Sequence, residues 1–164
     1  MSIDLLIALG ILISGVVIAV IFALNSSSAF ATAGLVAAGG ALGAVARYAI
    51  AQWIVSPNWP LNYLIINVSG ALLIGMLMTL AGEFSVISSR TRIFLGVGVL
   101  GGYTTFSTYM LGIFQMIAAG HWLNAYAYAV GSLILGLLAT WSGMIAIRAL
   151  FMSRHSAHKG ESSK

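Results

Sequence analysis

Apolar residues fall into five long blocks divided by short polar stretches. The blocks cover about 5–24, 32–55, 62–82, 93–118 and 124–150. The stretches between them read NSSS at 25–28, SPNWPLN at 56–62, GEFSVISSRTR at 82–92 and AAGHWLN at 118–124. Each block has about the 20 residues that a helix needs to cross hydrocarbon. Pro57 and Pro60 stop one helix and open the next, because proline lacks the donor a helix interior uses. Trp53, Trp59 and Trp122 lie near predicted ends, where amphipathic rings favour the interface. From Met152 onward the chain turns polar, and SRHSAHKGESSK reads as a disordered tail.

Composition removes the soluble alternative. Of 164 residues, 60% are hydrophobic and 6% charged, with a mean hydropathy of +1.04. A soluble domain of this length has too little interior to hide that much apolar surface. The pattern is that of an all-α integral membrane protein. With no cysteine, disulfides and thiolate metal sites are excluded.

Charge sets the orientation. Between Asp4 and Glu83 the sole formal charge is Arg47, and between Ile93 and Ile147 there is none. The net charge of +4 could suit nucleic acid, but the basic residues sit mainly between spans and in the tail. Topology accounts for them, so no nucleic-acid partner is expected. Arg90, Arg92, Arg148, Arg154, Lys159 and Lys164 gather on one side of a five-span chain, against Arg47 towards the other. By the positive-inside rule the tail is cytoplasmic and the N-terminus outside, in a multi-pass protein of the cell membrane. Segment 5–24 could instead be a signal peptide, since AFA at 29–31 imitates a cleavage site. Its leading region carries Asp4 and no basic residue, which is the wrong flank, and cleavage would put the basic tail outside. An uncleaved extra helix is therefore expected. The divisions are 1–31 for the extra segment, 32–151 for the helical domain and 152–164 for the cytoplasmic tail.

The fourth block holds the candidate chemistry, in GVGVLGGYTTFSTYMLG at 96–112. Gly98 and Gly102 form a small-xxx-small pair, as do Gly39 and Gly43, and such pairs serve helix packing. A Gly-Gly pair followed by two threonines is a poor place for continuous helix, so a break is expected over Gly101–Thr105. Broken backbone at membrane depth is tolerated only inside protein or along a water-lined cavity. Free carbonyls there suit a hard cation, and exposed N–H groups suit an anion. Phe106 and Tyr109 share one face beside Thr105 and Thr108. Ring edges are positive and hydroxyls donate, so the two faces could hold an anion without a full charge; ordinary core packing is the plainer reading of the rings.

Three other polar groups lie within spans. Asn67 sits mid-membrane and needs partners, either across helices or in a pore. Tyr128 and Ser132 stand at i and i+4 on one face, with Thr140 rotated away. Arg47 is either a site residue or a side chain snorkelling to the interface. His121, His155 and His158 lack the spacing of a helical metal site. No Ser-His-acid set and no carboxylate pair lies in a span, so enzymatic chemistry has nothing to work with.

Taken in order, GGALGAVARY at 39–48, LIINVSGALLIG at 64–75 and GGYTTFSTY at 101–109 resemble the CrcB/Fluc family of fluoride channels over about 33–150. The resemblance implies a four-helix channel subunit with a break in its third helix. Here it is preceded by the extra N-terminal helix. It also implies an antiparallel dimer in the lipid membrane, with two fluoride pores along the subunit boundary and passive fluoride export. On this resemblance, main-chain carbonyls of Gly101 and Thr104 would face a structural Na⁺ shared by both subunits. Phe106 would be the first pore ring and Asn67 the pore asparagine. Ser107, Thr108, Tyr128 and Ser132 would be candidates for a polar track, and Arg47 would lie near the vestibule.

The chain departs from the family pattern in three ways. Tyr109 stands where a second phenylalanine is usual, and its hydroxyl could donate to an anion or change how the ring packs. Gly112 stands where glutamate is usual. Residues 1–31 are additional, and with the six-to-one basic bias they do not suit insertion both ways round. The dimer partner is accordingly either a second copy or, as this bias suggests, an oppositely inserted homologue. Two rival functions remain. A cation or drug exporter needs an intramembrane carboxylate, and no span interior holds one. A structural subunit would leave Asn67 and the hydroxyl-aromatic run without a role.

Overall fold

The computed structural model describes residues 29–161 apart from 55, 57 and 58, with side chains as far as Met152. Within 1–28 it describes positions 7, 10, 11, 13–18 and 21, all of them helical. The rest of the expected 5–24 helix, like the last three residues of the tail, lies outside the described residues. The elements are α1 (Ala29–Trp53), α2 (Leu61–Gly82), α3 (Ser89–Arg92), a π-helical stretch (Ile93–Leu100), α4 (Gly101–Tyr103), α5 (Phe106–Ala118) and α6 (Trp122–Glu161). No strand occurs among the described residues. Ala29–Trp53, Leu61–Gly82 and Trp122–Met152 are each long and apolar enough to cross a membrane. The chain is an all-α, multi-pass membrane protein.

Two expectations need correction. The tail does not turn irregular at Met152: the α6 backbone stays helical to Glu161. No proline interrupts residues 153–161, and propagating an existing helix costs far less than nucleating one. The block at 93–118 is broken, as expected, but its glycines are not where it breaks. Gly101 and Gly102 lie within α4, and only Thr104 (φ −77, ψ 159) and Thr105 (φ −148, ψ 122) are extended.

The threonines carry their own means of stopping and restarting a helix. Thr104 Oγ1 donates to the Leu100 carbonyl at 2.9 Å, closing the first half. Thr105 Oγ1 accepts from the Thr108 N–H at 3.2 Å, which caps the second. A side-chain oxygen in that place satisfies one of the donors a helix start leaves free. The glycines are used elsewhere. The widened π-helical turns coincide with Gly96 and Gly98, where helix propensity is low.

Packing explains those glycines. α1 lies against the π-helical stretch and α4, while α2 lies against α6. A Cβ on Gly39 would stand 2.9 Å from Gly98 Cα, and one on Gly102 would stand 2.8 Å from Gly40 Cα. A Cβ on Gly43 would run into the Val99 carbonyl oxygen and stand 2.7 Å from the Tyr103 nitrogen. The two small-xxx-small pairs in the sequence are thus each other's partners, with backbone on backbone. Because the obstacle is backbone, Gly43→Ala is expected to cost about 1–3 kcal/mol or more. Gly136→Ala, where nothing lies within 4 Å of the added carbon, should be near neutral. Thermal unfolding of both variants in detergent checks this, and equal midpoints would refute the close approach.

At the opposite end of α2, Arg148 of α6 grips Glu83. Its Nε donates to Oε1 at 3.1 Å and Oε2 at 2.8 Å, and Nη2 also donates to Oε1. The hydrogen-bonded guanidinium holds the Glu83 carboxyl below its ordinary range. Both groups are exposed, so the pair contributes little stability. Phe84 stacks on Phe151 next to it, with ring centroids 4.0 Å apart.

Candidate functional site

The break is held open by Asn67 of α2. Its Nδ2 donates to the Thr105 carbonyl at 3.0 Å, and its Oδ1 accepts the Thr105 N–H at 2.9 Å. In an unbroken helix that N–H would go to the Gly101 carbonyl. The amide side chain therefore replaces a missing backbone neighbour on both sides of one residue. Burial without such partners would cost several kcal/mol at this depth. Asn67 thus finds its partners across 38 residues of sequence.

Arg47 of α1 reaches the same place from the other side. It is half-buried, and its Nη1 donates to the Thr104 carbonyl at 3.3 Å. This is a contact within the protein rather than with the interface alone. Next to it, Tyr103 is buried and its hydroxyl pairs with Ser69 Oγ at 2.8 Å, while Gly70 leaves room for the Thr104 methyl.

Beyond the break, the hydroxyls form one cluster. Thr105 Oγ1 donates to Thr108 Oγ1 at 3.1 Å and pairs with Ser107 Oγ at 3.2 Å. Phe106 faces outward, 72% exposed, whereas Tyr109 is 7% exposed. Their centroids are 5.7 Å apart. The Tyr109 hydroxyl donates to the Ala129 carbonyl at 2.9 Å. Of the two options the sequence leaves open for this tyrosine, the ring packing is the one seen here, with the hydroxyl committed to α6.

Tyr109 leads on to Tyr128, whose centroid is 5.5 Å away. Tyr128 is 1% exposed, yet its hydroxyl has no hydrogen-bond partner, and neither has Ser132 Oγ one turn further on. Leaving a buried hydroxyl unpaired costs about 1–3 kcal/mol. Both stand on one helix face, and each hydroxyl can donate to a polar group brought there. Thr140 shows the contrast. Its hydroxyl donates to the Ala71 and Gly136 carbonyls, so it is used in packing α2 against α6.

An open groove of about 380 Å³ joins most of these groups. Asn67, Gly101, Thr104, Phe106, Tyr109 and Ser132 line it. Arg47, Ser107, Thr108 and Tyr128 do not. Arg47 touches it through the Thr104 carbonyl, Ser107 and Thr108 through Thr105, and Tyr128 through Tyr109. Sequence reasoning missed Ser69, Tyr103 and the hub role of Thr105. A hydroxyl within reach of a tyrosine 34 residues away leaves no local pattern to read.

Gly112 also has a steric reason. A Cβ there would stand 3.0 Å from Pro60 Cγ and 3.6 Å from Tyr128 Cε1. An added Cβ would press on the Pro60 ring, which would have to give by a few tenths of an ångström.

Comparison with known proteins bears on this arrangement. Residues 34–144 match the family described as CrcB-like protein, Camphor Resistance (CrcB). The chain is 45% identical over 122 residues to a fluoride-specific ion channel FluC of Nitrobacter winogradskyi, covering 70% of this chain and 94% of that one. It is 44% identical over 116 residues to a channel of the same name from Chlorobium chlorochromatii, covering 70% and 90%. A third, from Caulobacter vibrioides, is 40% identical over 121 residues, covering 71% and 95%.

Proposed function

The chain belongs to the CrcB family, and from that premise we propose that it is a fluoride-selective channel of the plasma membrane, through which fluoride leaves the cell passively. The observation that carries this reading within the structure is the pair of buried, unpartnered hydroxyls of Tyr128 and Ser132 beside the rings of Tyr109 and Phe106. Each hydroxyl can donate, and each ring offers a positive edge. Such donors replace part of an anion's hydration shell without trapping it, as conduction requires. Fluoride that diffuses inward as neutral HF ionises inside, and this path returns it down its gradient.

The proposed path runs by Asn67, Phe106, Tyr109, Tyr128 and Ser132, with Ser107 and Thr108 supplying hydroxyls beyond the break. Arg47 contributes positive potential near it. A partner must complete it. Irregular backbone is not tolerated against lipid, yet Thr104–Thr105 borders an open groove whose rim, Phe106, is exposed. A second subunit covering this face removes the conflict. The six-to-one bias of basic residues fixes one orientation for this chain, so an antiparallel partner would be an oppositely inserted homologue.

The residues also fit a structural Na⁺ in kind. Thr105 N–H is bonded to Asn67 instead of the Gly101 carbonyl, and both Gly101 and Thr104 line the groove. Their main-chain oxygens would hold the ion, with more supplied by the partner, and a cation between subunits supplies fixed charge that joins them. Arg47 already donates to the Thr104 carbonyl, so that oxygen would be shared or given up by the guanidinium.

Fluoride efflux from liposomes tests the channel reading, with chloride as control in Na⁺-containing buffer. Rapid loss of fluoride without chloride is expected, from this chain alone or after co-expression with a homologue. No fluoride loss in either preparation would overturn the reading in favour of a structural subunit.

A further inference from the structure

A second cavity lies on the far side of the buried rings. Its volume is about 730 Å³, and Trp59, Tyr63, Gln115, Met116, His121 and Asn124 are among the residues that line it. No carboxylate is among its described lining residues, which include three amides, a serine hydroxyl, an indole, a phenol and an imidazole. A polar space of that make-up offers donors to an anion and no repelling charge. It belongs to the end of the molecule formed by the α1–α2 and α5–α6 connections.

The partition between this cavity and the groove is a ladder of rings. Phe106, Tyr109, Tyr128 and Trp59 follow one another with centroid separations of 5.7, 5.5 and 6.0 Å. Phe106 and Tyr109 line the groove, while Trp59 lines the second cavity. Trp59 meets Tyr128 edge-on, at an interplanar angle of 89°. Tyr109, Met116, Ala125 and Tyr128 form one buried cluster, against which Trp59 packs. Tyr128 is thus fixed by one ring on each side, and its hydroxyl is bonded to neither.

We propose that Trp59 is a positioning residue for anion passage: its indole holds the Tyr128 ring, and through it the free hydroxyl, between an acid-free antechamber and the groove. This rests on the channel reading. Trp59 sits in a connection rather than in a span, so the α1–α2 loop reaches into the conduction path by way of one side chain. An edge-on aromatic pair is the arrangement that ring quadrupoles favour, and it restricts the tilt of both rings.

Fluoride efflux from liposomes tests this, using the full chain with its homologue partner if one is required. Trp59→Ala is expected to slow efflux about fivefold, the rate equivalent of one aromatic pair. Trp59→Phe, which keeps a ring, should stay close to the parent. Trp59→Leu keeps apolar bulk without a quadrupole and should slow efflux like the alanine variant, which guards against a folding defect in Trp59→Ala. The deciding comparison is made in Tyr128→Phe, where the hydroxyl is already gone and Trp59→Leu should add little. Parent-like efflux from Trp59→Leu, or an equal loss in the Tyr128→Phe background, would overturn the proposal while leaving the channel reading intact. A parent protein that passes no fluoride would instead sink the channel reading, and this one with it.

Discussion

Asn67→Leu is expected to lower both stability and fluoride flux. The side-chain amide meets the N–H and the carbonyl of one residue, Thr105, at 2.9 and 3.0 Å. Leucine has similar bulk but leaves both groups unpaired, at about 1–3 kcal/mol each. The sum of about 2–6 kcal/mol is a large part of the 5–15 kcal/mol that typically holds a domain together. The family resemblance alone would make this residue a pore group, whose loss spares assembly; the Thr105 contacts extend the expected damage to the fold. Asn67→Asp separates the two effects. Its carboxylate can still accept the Thr105 N–H but places a negative charge beside an anion path, so flux should fall further than the unfolding midpoint. Thermal unfolding in detergent and efflux from liposomes, measured on both variants, check this. An unchanged midpoint for Asn67→Leu would show that the break does not depend on the latch.

What could be read from the sequence was whatever is local. Spans appear as blocks of apolar residues, and α2 begins and ends within a residue of the block at 62–82. A helix break could be foreseen between Gly101 and Thr105 because both residue types there have poor helix propensity. Its cause could not be assigned that way. Propensity ranks glycine as the worse helix former, whereas threonine can bond its own turn, as Thr104 does to Leu100 and Thr105 to Thr108. Long-range complementarity was the larger gap. Asn67 announces that it needs partners without saying that both belong to Thr105. Gly39 and Gly43 announce a close approach without naming Gly98 and Gly102. Nothing adjacent to Trp59 points to Tyr128, 69 residues on, because ring-to-ring contact depends on how the loops close.

Phe106→Ala is the cleaner test of the path, because its ring does so little for the fold of the single chain. It is 72% exposed, and the ring contact found for it is the tilted one with Tyr109 at 5.7 Å. Truncating it removes little buried area, so the unfolding midpoint of the chain should hardly move. The effect on flux should be far larger. By analogy with a cation over a ring face, an anion at a ring edge gains about 1–2 kcal/mol once partly desolvated. A barrier higher by that amount slows passage about 5- to 30-fold. Phe106→Leu restores apolar bulk without the positive edge, so it should be slow as well if electrostatics rather than shape matters. Efflux rates, read beside the dimeric fraction in detergent, decide the matter. Parent-like flux through well-assembled Phe106→Ala would take the ring out of the path and leave the hydroxyls of Tyr128 and Ser132 as the groups that meet the ion. Slow flux in alanine and parent-like flux in leucine would make Phe106 a spacer that shapes the groove. Slow flux in both, with assembly intact, would mean that a polarised ring edge at the rim of the groove does for fluoride what a cationic side chain would do too strongly.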